Sequence, residues 1–120
     1  MSHNLEGTWI IHQTFGGGYK FPAHFTATGD NHGTIEIDVE GTKFFGTYQT
    51  LGSTSYISLA IGMFEGNRQS ISAYVGNVVG GAMGGLVYGA PVGGKGSGAE
   101  WTAHKVEILT AEEKAPHITD

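Results

Sequence analysis

The chain has 120 residues, a formal net charge of −5 and no cysteine. This length fits one domain, the acidic balance disfavours nucleic-acid binding, and the lack of cysteine excludes disulfides and thiolate metal sites. Glycine contributes 21 residues, more than twice its usual share of about 7%. The glycines separate short runs rich in Val, Ile, Phe and Tyr, which is typical of strands joined by tight turns.

Period-2 alternation and turn residues predict eight strands. The first two run over 5–15 and 19–28, with glycines at 16–18 between them. Pro22 marks a bulge or an unpaired position because it has no amide hydrogen. The third strand, 34–40, alternates an apolar face with an acidic face, which indicates one wet side. The remaining strands are predicted over 43–51, 55–64, 68–79, 82–88 and 99–109, with a glycine-rich loop at 89–98.

The short connections make each predicted strand the antiparallel neighbour of the next. Closing such a meander into a barrel removes its two bare edges. We therefore expect an all-β fold, an eight-stranded antiparallel up-and-down barrel that occupies residues 1–109 as a single domain. A flattened sandwich is the alternative. Residues 110–120 are expected to form a polar C-terminal tail.

The N-terminus has no basic segment followed by an apolar run. No apolar stretch approaches the roughly 20 residues that span a membrane. We therefore expect a cytoplasmic protein without membrane or nucleic-acid partners.

Gly7 and Trp9 form a Gly-x-Trp motif on the first strand, and Trp101 and Lys105 share one face of the eighth. With the meander, these residues resemble the calycin superfamily, which comprises lipocalins, avidins and small lipocalin-like barrels. The resemblance implies that Trp9 plugs the closed end of the barrel. It also implies that Lys105, where the family usually has arginine, lies across the Trp9 ring, a contact worth about 0.5–2 kcal/mol. Trp9 as an ordinary core aromatic is the alternative.

Residues 46–50 resemble the avidin strand that carries a biotin-contacting tyrosine, here Tyr48. Ile11 stands where that family has an asparagine for biotin, and Phe15 stands where it has a serine. Biotin is therefore not the expected ligand.

With Trp9 facing inward, the inward side chains of the first three strands are apolar apart from Gln13. For the fourth strand two faces remain open, Phe44 with Tyr48 or Phe45 with Leu51. The inward sets of the next three strands are expected to be Leu59, Ile61 and Met63, then Ile71, Ala73 and Val75, then Met83 and Val87. Such a lining is typical of a pocket for a hydrophobic small molecule, unless the side chains fill the barrel. The expected ligand contacts are Gln13, Tyr19, Phe21, Phe25, Tyr48, Met63 and Trp101.

No catalytic residue, metal site or cofactor is predicted, because the sequence has no Ser-His-Asp arrangement and no phosphate loop. His12, His24 and His104 are expected on the outer face as surface residues. If the first, second and eighth strands are adjacent, these histidines could form a weak metal site or a pH-sensitive interface. Glu100 is the one carboxylate expected near the mouth for acid–base work.

Three functions remain open. The first is a binding module for an apolar small molecule. The second is a cofactor-independent enzyme of cyclase or isomerase type in natural-product biosynthesis, which a buried pocket residue with a shifted pKa would favour. The third is an interaction protein, a homodimer or higher homo-oligomer. Its exposed apolar outer surface would include Ile10, with Tyr74 or Leu86 if they point outward.

Overall fold

The computed structural model describes residues 5–14, 18–39, 41–51, 56–65, 68–91, 97–106 and 117–118. The strands in these ranges are β1 (Gly7–Gln13), β2 (Tyr19–Ala27), β3 (His32–Val39), β4 (Thr42–Thr50), β5 (Tyr56–Glu65), β6 (Arg68–Val79), β7 (Ala82–Pro91), β8 (Ser97–Val106) and β9 (His117–Ile118). All eight predicted strands are present. The predicted loop at 89–98 is too long, because β7 continues to Pro91 and β8 already begins at Ser97.

The first eight strands form a closed antiparallel barrel, in which each strand pairs with the next and β8 returns to β1. The closure is visible at Trp9, which lies opposite Lys105 on β8 and opposite Ala23 on β2. The predicted eight-stranded antiparallel meander barrel is therefore confirmed, and the sandwich alternative is wrong.

The β2 strand pairs with three of the described strands. It pairs with β1 along most of its length, but its ladder with β3 runs only from His24 to Ala27. Pro22, which has no amide hydrogen to donate, lies beyond that ladder on the β3 side. The short β9, which lies within the expected polar tail, pairs instead with Tyr19 and Lys20. The break expected at Pro22 thus occurs on the β3 side and not on the β1 side.

The two ends of the barrel differ. At the end that carries the β2–β3, β4–β5 and β6–β7 connections, the indole N–H of Trp9 donates to the carbonyl oxygen of Leu5 at 2.9 Å. Both side chains are buried and close this end. The other end, called the mouth below, carries the remaining four connections. The glycine-rich segments 15–17 and 92–96 lie outside the described residues.

Aromatic side chains fill the closed half of the lumen. The ring of Phe25 lies 6.0 Å from that of Trp9 and 5.2 Å from that of Tyr48. Such pairs contribute about 0.5–1.5 kcal/mol each beyond the area that they bury. Tyr48 lies over its cross-strand partner Gly33, where a Cβ would come within 2.3 Å of the tyrosine ring. A residue larger than glycine at position 33 would push this ring out of the core.

The inward face of β4 is the first of the two predicted alternatives. Tyr48 is buried and Phe44 is partly buried in the core. Phe45 and Leu51 are 59% and 65% exposed. The fourth strand therefore contributes Phe44 and Tyr48 to the lumen.

The predicted face of β6 is wrong. Ile71 and Val75 are exposed on the outside, whereas Tyr74 and Val78 are buried in the core. The turn at 80–81 explains this, because it places Val78 directly opposite Met83, and directly opposite residues share a face of a sheet. Since Met83 is buried inward as predicted, Val78 and Tyr74 must face inward too.

Ile10 does not belong to an exposed wall, contrary to prediction. It points away from the lumen, between the inward residues Trp9 and Ile11, yet it is only 3% exposed. Pro22, directly opposite on β2, is buried as well. The outer face of the barrel is therefore covered at this pair.

Candidate functional site

A hydrogen bond crosses the lumen between two strands that are not neighbours in the sheet. The hydroxyl of Tyr74 on β6 donates to Oε1 of Gln13 on β1 at 2.5 Å. Ser72, two residues before Tyr74 and therefore on the same face of β6, also hydrogen-bonds the Tyr74 hydroxyl through its side chain. The three side chains form a polar chain that we call the lumen relay.

Burial determines the protonation state of the relay. The pKa of Tyr74 is raised above its usual value of 10.0 because the hydroxyl is desolvated, and the hydrogen bond from Ser72 offsets only part of this effect. The Tyr74 hydroxyl is therefore protonated and is a donor at neutral pH. The pKa of Tyr48, in the closed half, is raised by burial and secondarily by the nearby Glu6 carboxylate.

Gln13 is the end of the relay that solvent reaches. Tyr74 is 2% exposed, whereas Gln13 is half-buried at the last position of β1. Its Oε1 accepts from Tyr74, and within the described ranges its Nε2 makes no hydrogen bond. A carboxamide nitrogen carries two donor hydrogens. The relay therefore presents unused donors at the mouth of the barrel.

Trp101 forms the wall beside the relay. It lies opposite Gln13 in the β1–β8 pairing, and its ring meets that of Tyr74 edge-on at 5.4 Å. Its indole N–H donates to the carbonyl oxygen of Val75 on β6 at 3.2 Å. Because β7 lies between β8 and β6, the indole must cross the inner face of β7.

Glycine makes this crossing possible. Gly85 on β7 is the direct partner of Trp101, and Gly76 on β6 is the direct partner of Gly85. A Cβ on Gly85 would lie 2.1 Å from the Val75 carbonyl oxygen, the atom that accepts from the indole. The pair of glycines thus lets the strands approach and leaves their inner face flat beneath the ring.

The predicted ligand contacts whose side chains the structure describes lie in two places. Gln13 and Trp101 meet at the relay. Phe25 and Tyr48 are packed into the closed half, and Phe21 is buried in the same core. The side chains of the other two predicted contacts lie outside the described residues: Tyr19 and Met63.

Lys105 occupies the position at which the calycin resemblance implies a basic side chain beside Trp9. It lies directly opposite Trp9 in the β1–β8 pairing and is exposed at the closed end. Its aliphatic stem passes over Gly7, where a Cβ would come within 2.9 Å of the lysine Cε. The stem thus covers Gly7 at the start of β1, two residues before Trp9.

Sequence reasoning missed Tyr74 and Ser72. Both lie on the face of β6 that was expected to point outward, because Ile71 and Val75 alternate with them. The signal that could have found them is the turn at 80–81, which connects the face of β6 to that of Met83.

The histidines and Glu100 lie away from the relay. His24 Nδ1 is 3.0 Å from the hydroxyl of Thr8, and His104 stands opposite Ile10 on the outer face. Within the described ranges, no three His, Asp or Glu side chains are gathered as a metal site. Glu100 is exposed on the outer face of β8, and its backbone bonds Thr14. The carboxylate expected near the mouth therefore does not face the lumen.

Two grooves formed by described residues lie on the outside of the barrel. One, of about 630 Å³, runs across the outer faces of β4 to β7, and the other, of about 530 Å³, crosses β6 to β8. Val75 and Leu86 line both grooves. No helix in the described part of the chain is long and apolar enough to span a bilayer.

Comparisons with models of known protein families and with curated proteins give no match.

Proposed function

We propose that the chain binds a small apolar molecule in the mouth half of the lumen, and that this molecule carries one hydrogen-bond acceptor, such as a carbonyl oxygen. The observation that carries the proposal is the lumen relay, which ends on the unused amide donors of Gln13. Ser72 donates to Tyr74 and Tyr74 donates to Gln13, so the direction of the chain leaves a donor and not an acceptor for the ligand.

The apolar surroundings explain why this donor selects a ligand. Trp101 and Ile61 are buried on inward positions, and Ala99 and Phe44 pack partly buried against the same core. Apolar contact contributes about 25 cal/mol for each Å² removed from water. A ligand that covers Gln13 without accepting its hydrogen bond leaves a desolvated donor, which costs about 1–3 kcal/mol.

We also propose that the barrel is calycin-like. Three features support this: the closed meander, the Trp9 plug bonded to Leu5, and Lys105 opposite Trp9 in the register. In such barrels one end is sealed and the other admits the ligand, which is consistent with placing the ligand at the mouth. A cytoplasmic location and the absence of a nucleic-acid or membrane partner remain predictions from the sequence.

A pair of matched probes tests the proposal. Acetophenone and α-methylstyrene have nearly the same shape, because a CH2 group replaces the carbonyl oxygen, but only the ketone carries an acceptor. We expect a saturable change in tryptophan fluorescence with both, with the ketone bound about 10-fold more tightly, as one hydrogen bond of about 1.4 kcal/mol implies. The Gln13→Leu substitution should abolish this difference. Gln49→Leu, on the exposed outer face of β4, is the control that should preserve it.

Two results would contradict the proposal. One is the absence of saturable binding for either probe, and the other is a preference for the ketone that persists in Gln13→Leu. Native mass spectrometry of the protein purified from its own host supplies an independent readout, because a retained compound should contain a carbonyl or another acceptor.

The enzyme alternative has one observation in its favour. Tyr74 is a buried hydroxyl with a raised pKa beside the proposed site, and such a group can donate to an oxygen on which negative charge develops. Its raised pKa disfavours a role as general base at neutral pH. A bound compound that is converted by wild type, but only bound by Tyr74→Phe, would identify an enzyme; recovery of the compound unchanged from both would identify a binding module.

A further inference from the structure

The outward-facing side of β5, β6 and β7 is an apolar surface, which we call the apolar wall. Its large side chains are all more than half exposed: Tyr56, Ile71, Val75, Val79, Leu86 and Tyr88. Between them stand small residues such as Ala60 and Ala73, together with the uncharged polar residues Ser58 and Asn77. Among the described side chains of this wall there is no Lys, Arg, Asp or Glu.

The size of the wall is that of a protein interface. Each of its six large side chains leaves on the order of 100 Å² in water, and the small residues between them add more. The total approaches the roughly 800 Å² that each partner contributes to a standard interface. It exceeds the roughly 300–600 Å² of the largest apolar patch on a typical monomer.

Charge is concentrated on the opposite side of the barrel. Glu36 and Asp38 project from the outer face of β3, where Lys43 of β4 lies 3.3 Å from the Glu36 carboxylate. In the strand order of the sheet, β2 and β3 lie across the barrel from β6 and β7. Two copies with net charge −5 repel one another least when these acidic sides point away from each other.

The shape of the wall is self-complementary, because it has a ridge beside grooves that can receive the same ridge from a second copy. Val75 and Leu86 are direct cross-strand partners and line both outer grooves, so they form a ridge between them. A two-fold axis beside this ridge would place the ridge of each copy in a groove of the other. Such isologous contacts are the commonest way in which soluble proteins bury a self-complementary patch.

We propose that the chain forms a two-fold homodimer through the apolar wall, with the Val75–Leu86 ridge of each copy seated in the groove of the other. The receiving groove is the one across β4 to β7, whose lining residues are all uncharged, in keeping with the depletion of charge from interface cores. Glu100, the cross-strand partner of Leu86, lines the other groove and lies at the edge of the contact. The mouth and the lumen relay lie outside this interface, so its disruption should leave ketone binding intact.

Equilibrium sedimentation of the full chain tests the proposal. Wild type should have twice the 12.6 kDa mass of one chain. Leu86→Glu buries two carboxylates at the centre of the dimer and should weaken association at least about 100-fold. Because Leu86 is exposed in the single barrel, its circular dichroism should not change. Thr34→Glu, on the exposed outer face of β3, adds the same charge elsewhere and should remain dimeric.

Cross-linking gives a second readout that does not depend on destabilising the contact. The chain has no cysteine, so Ser58→Cys places a single thiol in the groove of the wall, and Thr34→Cys places one on the opposite side. A short bismaleimide should join Ser58→Cys into a covalent dimer and leave Thr34→Cys monomeric.

A wild type that stays monomeric at all concentrations overturns the proposal, as does a Leu86→Glu variant that remains dimeric. Equal cross-linking of Ser58→Cys and Thr34→Cys would also overturn it. A monomeric wild type that co-sediments with phosphatidylcholine vesicles would instead assign the wall to a lipid surface, and the dimer would again be wrong.

Discussion

Trp101 and Gly85 face one another across the β7–β8 ladder, and the indole crosses the place where Gly85 has no side chain. This pairing connects a feature of the backbone, the missing side chain at Gly85, to the candidate functional site. The indole N–H reaches the Val75 carbonyl oxygen at 3.2 Å while its ring packs edge-on against Tyr74. The position of the tyrosine, and hence of the lumen relay, depends on this glycine.

The first prediction concerns Gly85→Ala. The new Cβ would meet the Val75 carbonyl oxygen at 2.1 Å and the Gly76 Cα at 2.7 Å, so β6 and β7 must separate. We expect a loss of about 1–3 kcal/mol in the free energy of unfolding, as for other overpacked cores. Urea denaturation measures it, and the ketone preference should weaken in parallel because Trp101 loses its acceptor.

The matched control is Gly98→Ala on β8. There a Cβ would make only ordinary contacts, 3.6 Å from the Tyr88 ring and 3.7 Å from the Val87 carbonyl oxygen. Its free energy of unfolding should stay within about 0.5 kcal/mol of wild type. Equal effects of the two substitutions would mean that the close approach at Gly85 has no energetic importance.

The second prediction concerns alkaline stability. Burial raises the pKa of Tyr74 above its usual value of 10.0. Below pH 10 both the folded and the unfolded chain keep this proton, and stability does not depend on it. Above pH 10 the unfolded chain loses the proton while the folded chain retains it, so stability falls by about 1.4 kcal/mol per pH unit for this group. Tyr74→Phe should remove that share of the slope.

Denaturation curves between neutral pH and strong alkali measure the effect. Tyr48 contributes in the same direction, so part of the slope should remain in Tyr74→Phe. An alkaline slope identical in wild type and Tyr74→Phe would contradict the burial of the hydroxyl.

Strand number and closure could be predicted because turn glycines and alternation are local signals. The clean alternation of β3, with Ile35 and Ile37 buried against Glu36 and Asp38 exposed, needs no knowledge of its neighbours. Only one face of such a strand is able to enter a core.

The face of β6 could not be predicted in this way, because both of its faces carry apolar residues. Ile71 and Val75 belong to the exposed wall, while Tyr74 and Val78 belong to the core. Choosing the more hydrophobic face assumes that the exposed face is the more polar one, and that assumption fails here because Ile71 and Val75 are apolar and exposed. The two-residue connection to Met83 was the better guide, because pairing geometry does not depend on hydrophobicity.

The lumen relay could not be predicted from local sequence patterns, because it joins residues that are far apart in the chain. Gln13 and Tyr74 are 61 residues apart and lie on strands that do not pair. Their contact follows from the stagger of the strands around the barrel. The inward direction of Gln13 could be predicted from Trp9, whereas its partner could not.

The third prediction concerns Ile10, which the structure places on the outer face and yet buries. Ile10→Ala should lower the free energy of unfolding by about 2–4 kcal/mol, and Ile10→Val by only about 0.5–1.5 kcal/mol, as in other buried sites. Thermal or urea unfolding of Ile10→Ala and Ile10→Val measures both changes in the free energy of unfolding. Changes below about 0.5 kcal/mol in both variants would show that the residue is accessible to solvent, as first expected.

The fourth prediction separates the two tryptophans, which are the only two in the chain. Trp9→Phe removes the donor to the Leu5 carbonyl oxygen in a buried site. An orphaned buried acceptor costs about 1–3 kcal/mol, so the free energy of unfolding should fall by that amount or more. Ketone binding should be unchanged, because Trp9 lies in the closed half of the lumen.

Trp101→Phe should behave differently, since it removes the bond to Val75 and replaces the indole beside Tyr74 with a smaller ring. We expect it to lower stability and to weaken the ketone preference together. Each variant retains one tryptophan as a fluorescent reporter of the other half of the barrel. If Trp9→Phe weakened ketone binding as much as Trp101→Phe does, the ligand would reach the closed end, and the division of the lumen into a packed half and a binding half would be wrong.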